Sequence, residues 1–109
     1  MSYEQDVEEA QRGWVRDAMS SDLGLWWLAA DIRELRSDVP EDEVRTETLR
    51  ALRPLLVSGA LRAVHLPPGG AFELWKGSAE EQLARIDGEW AALGRPPDLG
   101  DIVWLIGAR

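Results

Sequence analysis

Val7, Ala10, Trp14 and Ala18 recur at intervals of three and four residues, the spacing that lines one face of a helix. Ser2 and Gln5 stand at capping-box distance ahead of them, and acids crowd the first turn. The pattern predicts an amphipathic helix over 3–19, weakened by Gly13. "SSD" at 20–22 stops it and caps a second helix, whose stripe is Leu25, Leu28, Ile32 and Leu35. Asp38 and Glu41 repeat the capping spacing around Pro40 and predict a short helix over 39–45. Thr46 then caps a longer helix with Leu49, Leu52 and Leu56 facing inward. Pro54 should kink that helix, and Gly59 should end it.

Beyond Gly59 the period changes. "ALRAVHL" (60–66) and "AFELW" (71–75) are short strand candidates around "PPGG". Pro68 and Gly69 suit the central positions of a type II turn, since proline presets one angle and glycine permits the positive one. Ser78 and Glu81 open a last helix with the stripe Leu83, Ile86, Trp90 and Leu93, ended by Gly94. "IVWLI" (102–106) is a β-branched apolar run and should be a buried strand pairing with the hairpin. The expected class is α+β, mostly helical, with four main helices and a small antiparallel sheet. At 109 residues this fits a single domain over 1–109.

Charge changes the picture more than length does. The chain carries 20 Asp and Glu against 12 Lys and Arg, a formal net charge of −8. The excess is concentrated early, with 13 acids and 7 bases in the first 58 residues. Such a field repels phosphate backbones and favours basic partners. Lys76 is the only lysine, and the wealth of Arg, Ala, Leu and Gly reads as GC-rich bacterial coding. There is no cysteine, so no disulfide or thiolate chemistry is available. The N-terminal segment is acidic where a signal peptide would be basic, and no apolar run approaches the roughly 20 residues of a membrane span. A soluble cytoplasmic protein, with no membrane partner, is the expectation.

Candidate chemistry is sparse. His65 is the sole histidine and stands in no hydrolase or zinc motif. "PEDE" at 40–43 lacks the spacing of a calcium loop, and helix N-terminal charge explains it. No enzyme activity, cofactor or metal is expected. The tryptophans are more informative. Trp14, Trp90 and Trp104 fit apolar stripes or runs, Trp75 ends a strand, and Trp26 flanks the stripe of the second helix. Trp27 lies about 100° round from Trp26, on the side of Asp31 and Glu34. An aromatic anchor among carboxylates suits a basic partner. The expected partner-binding set is therefore Trp27, Asp31 and Glu34, continued by Asp38, Glu41, Asp42 and Glu43. None belongs to a leucine stripe, so reversing Glu41, Asp42 and Glu43 should leave the fold intact.

"TLRALRPLLVSGALRAV" resembles the third helix and first wing strand of bacterial winged-helix regulators, a likeness extending over residues 22–75. It implies a winged-helix-like arrangement, to which the sheet read from the pattern at 60–66, 71–75 and 102–106 would belong. It further implies a DNA-binding transcriptional regulator reaching bases and phosphates through Arg45, Thr46, Thr48 and Arg50. Against that, "PPGG" puts no cation at the wing tip, and Glu47 with the preceding acids breaks the basic stripe. The tail, "LARIDGEWAALGRPPDLGDIVWL", is similar to small acidic bacterial proteins of the toxin-immunity type. The favoured expectation is a protein-binding module of inhibitor, immunity or antitoxin kind that masks a basic toxin or nucleic-acid enzyme. DNA belongs to the alternative.

Overall fold

The computed structural model describes residues 2–108. Four helices hold most of it: α1 (Tyr3–Ala18), α2 (Leu25–Leu35), α3 (Glu41–Ser58) and α4 (Ala79–Leu93). The strands are β1 (Leu23–Gly24), β2 (Leu61–His65), β3 (Glu73–Leu74) and β4 (Trp104–Gly107). They form one antiparallel sheet in the order β1-β4-β2-β3. The class is α+β and mostly helical.

The two capping boxes predicted at the ends of the chain are present. Ser2 and Gln5 bond reciprocally ahead of α1, and Ser78 and Glu81 do so ahead of α4. The middle of the chain departs from expectation. "SSD" does not cap α2, which starts at Leu25 behind Gly24 with no side-chain cap. Sheet pairing takes over instead, because Leu23 pairs with Leu105 and Gly24 with Trp104. Two residues are too few for alternation to reveal, so this strand escaped the sequence pattern.

The predicted short helix over 39–45 and the helix capped by Thr46 are one continuous helix, α3. Pro40 is its N-cap residue, and the Thr46 hydroxyl donates to the Asp42 carbonyl from mid-helix. The reason lies in the buried face. Val44, Thr48, Ala51, Leu52 and Leu56 form a single stripe, and breaking the helix at Thr46 would split it. Gly59 ends α3 in the left-handed conformation, at φ 81°.

Pro54 is exposed inside α3, which continues past it to Ser58. Lacking an N–H, it leaves the Arg50 carbonyl without its helical partner. Pro54→Ala is expected to stabilise the protein by about 2 kcal/mol. The gain in helix propensity, roughly 3 kcal/mol, exceeds the roughly 0.4–1 kcal/mol lost by loosening the unfolded chain. A higher urea midpoint at unchanged slope would show it; a lower one would mean that the proline shapes packing on α4.

The hairpin turn is as expected: Gly70 donates to the Pro67 carbonyl, and Gly69 has φ 70°. β3 is shorter than the predicted 71–75, although Trp75 N–H still bonds the Ala63 carbonyl. "IVWLI" does pair with the hairpin, through Val64↔Trp104 and Ala63↔Leu105, but its strand runs over 104–107. A three-residue turn displaces its start: Val103 N–H bonds the Asp101 carbonyl at 2.8 Å, with Ile102 between them at φ 67°. This strained turn buries Val103, which is 1% exposed.

Leu61, Ala63 and Leu105 give one face of the sheet to the core, with Leu25, Leu28, Ile32, Leu52 and Ile86 from the helices. Trp14 and Trp90, each 1% exposed, fill the middle. Gly107 lets α1 close on the sheet end, because a Cβ there would lie 2.8 Å from the Ala18 carbonyl oxygen.

Candidate functional site

α1 and α2 pack side by side and leave a groove of about 390 Å³ between them. Five carboxylates line it: Asp6, Glu9 and Asp17 from α1, Asp31 and Glu34 from α2. Among the described residues Arg16 is the one lining cation, and it pairs with Asp17 at 3.5 Å. Gly13 also lines the groove and offers no side chain to fill it. The residue that weakens α1 thus helps to open the groove.

Trp27 forms part of the wall and is 42% exposed. Its ring is steadied by Trp26, edge to face at a centroid distance of 5.4 Å. The neighbouring Trp14 is buried in the core, yet its indole N–H donates to Asp31 Oδ2 at 2.8 Å. That bond fixes Asp31 on the groove floor and satisfies a buried donor. Asp6, Glu9 and Glu34 bond to no other side chain among the described residues. Three uncommitted carboxylates and one anchored carboxylate therefore face the same space as an exposed indole.

The predicted set divides here. Trp27, Asp31 and Glu34 come together in the groove. Asp38, Glu41, Asp42 and Glu43 stand apart, at the passage from α2 to α3, and line none of it. Asp38 and Asp42 are exposed. Glu41 is committed to the fold: its Oε2 accepts from the buried Trp90 indole at 2.9 Å, and its other oxygen pairs with Arg33. Glu43 pairs with Arg36 at 3.0 Å. The expectation that this triplet could be reversed harmlessly is corrected, because charge reversal at Glu41 would set a cation against Arg33 and orphan a buried N–H. Asp6, Glu9 and Asp17 went unnoticed in the sequence, where they read only as polar positions of an amphipathic helix.

The residues of the DNA-reading alternative are also placed. Thr48 is fully buried and donates to the Val44 carbonyl at 2.7 Å, so it cannot reach a base edge. It serves the core face of α3. Arg45 turns toward α4 and pairs with Asp87 at 2.9 Å, as Arg53 does with Glu80 at 2.6 Å. Arg50 lies beside Glu47 at 3.4 Å, and Thr46 is exposed but engaged with its own helix. Each arginine on this face already has a carboxylate partner.

Among the described residues, no group of three or more His, Asp and Glu side chains is arranged to hold a metal ion. No helix among them is long and apolar enough to cross a membrane. Comparison with protein-family models, with curated proteins and with solved structures finds no match to this chain.

Proposed function

We propose that the protein is an acidic protein-binding module that masks a basic partner, in the manner of a toxin-immunity protein, antitoxin or inhibitor. A cytoplasmic toxin or nucleic-acid enzyme with a basic cleft is the partner class that fits. The observation that carries this is the α1–α2 groove, where an exposed tryptophan stands among five carboxylates and one arginine. Carboxylates speed the approach of a cationic surface, and a desolvated indole holds it once docked. A guanidinium of the partner can stack on the Trp27 face while its N–H groups reach Asp31 or Glu34. No catalytic step is assigned to the protein; occlusion is the mechanism.

The winged-helix alternative loses support on its own residues. A DNA reader needs clustered, available cations, and Arg45, Arg50 and Arg53 of α3 each stand beside a carboxylate within the fold. Random duplex is therefore expected to bind only weakly, with affinity that collapses as salt rises. Titration by fluorescence anisotropy checks this. Submicromolar, sequence-specific binding in near-physiological salt, abolished by Arg50→Ala, would overturn the proposal in favour of a regulator.

The groove itself can be tested without the natural partner. In an NMR titration with an arginine-rich peptide, the Trp27 indole N–H should move most, and the Trp75 indole should stay. Movement confined to tryptophans outside the groove would place the contact elsewhere.

A further inference from the structure

In a chain with a large surplus of acid, one small cavity gathers three basic side chains against a single carboxylate. It lies where the β2–β3 hairpin meets α4, has a volume of about 360 Å³, and shares no residue with the α1–α2 groove. His65, Lys76 and Arg85 line it with Glu73, Leu74 and Trp75. The sole histidine and the sole lysine of the protein thus meet an arginine at one place.

The three groups differ in how firmly they are held. The Arg85 guanidinium rests on the Trp75 ring, 3.9 Å from its centroid, and its Nε bonds Glu89 at 2.6 Å. Stacking and that single bond fix the plane of the fork. Lys76 is exposed and takes part in no ion pair among the described residues, although eight arginines do. His65 is exposed at the end of β2, directly across the ladder from Glu73. A preorganised guanidinium, an unpaired ammonium and an imidazole around one concavity form a donor set for an anion with several acceptor oxygens.

We propose that this cavity binds the phosphate group of a small hydroxylated phosphate ester, such as a sugar phosphate. Two observations bear on that class. The volume is enough for a small ligand, at the lower end of small-molecule sites. Glu73 sits among the cations and accepts hydrogen bonds only, which suits a ligand that brings hydroxyl donors beside its phosphate. Lys76 and Arg85 hold the phosphate oxygens, His65 adds a third donor, and Glu73 holds a hydroxyl.

The test is an NMR titration of the full chain with glucose 6-phosphate, inorganic phosphate and glucose. Glucose 6-phosphate should give saturable shifts at His65, Lys76 and the Trp75 indole, weakening as salt rises, and glucose should give none. Lys76→Ala should weaken binding at least tenfold while the rest of the spectrum is unchanged, since that side chain is exposed and forms no ion pair among the described residues. Arg85→Gln should weaken it too, and Trp27→Ala should leave it intact, which separates this site from the groove. Equal affinity for inorganic phosphate would overturn the hydroxylated-ester assignment. Absence of saturation at millimolar glucose 6-phosphate, or unaltered affinity in Lys76→Ala, would overturn the site.

Discussion

Glu41→Ala is expected to lower stability by roughly 2–3 kcal/mol, a large share of the margin of a small domain. Trp90 is 1% exposed, and its indole N–H bonds Glu41 Oε2 at 2.9 Å. Removing the acceptor leaves a buried donor unpaired and also strips Arg33 of its partner. For a domain of this size, the melting temperature should fall by roughly 10–15 °C. Asp42→Ala is the matched control. It removes an exposed carboxylate from the same helical turn and should cost less than about 1 kcal/mol, the range of a helix-dipole interaction. Equal losses in the two variants would mean that Glu41 acts only as helix-end charge.

Trp27→Ala carries the largest expected effect on binding. The loss should be about 2 kcal/mol or more, roughly a 30-fold weaker complex, and it should appear mainly as faster dissociation. The fold should survive, because Trp27 is 42% exposed and meets Trp26 edge to face rather than closing the core. Charge reversal belongs at Glu34, Asp6 and Glu9, which are uncommitted, and not at Glu41 or Glu43. Reversing those three should slow association, and the effect should fade as salt shortens the range of the field. Surface plasmon resonance separates the two rate constants. A Trp27 variant that changed only the association rate would remove the anchor from this account.

The two experiments probe a division of labour among the acids. Aromatic donors claim some of them: the buried Trp14 takes Asp31, the buried Trp90 takes Glu41, and the Tyr3 hydroxyl bonds Glu47 at 3.3 Å. Others face solvent around the groove. Asp31 does both, anchored by one oxygen and lining the groove with the rest of its carboxylate.

That division was only partly legible in the sequence. Local geometry sets Trp27 on the side of α2 away from the Leu25, Leu28 and Ile32 stripe, whereas its 42% exposure depends on α1 and β4 leaving it uncovered. The role of Glu41 does not follow from local geometry, since its donor lies 49 residues away in another helix. Asp6, Glu9 and Asp17 were visible as a polar face. Which helix that face would meet depends on tertiary packing, and nothing local encodes it. The same holds for the fold. Caps at Ser2 and Ser78 and the stops at Gly59 and Gly94 are local chemistry and are present. Strand β1 exists because β4 offers it an edge, and α3 runs through Thr46 because its buried face is continuous.

The most direct measurement of the central claim is a quantitative pull-down from the source cell with wild-type protein and with the Trp27→Ala, Glu34→Lys double variant. The account predicts one dominant basic protein retained by the wild type, eluted by raised salt and lost by the variant. A partner held equally by both, or a specific DNA fragment captured in its place, would contradict it.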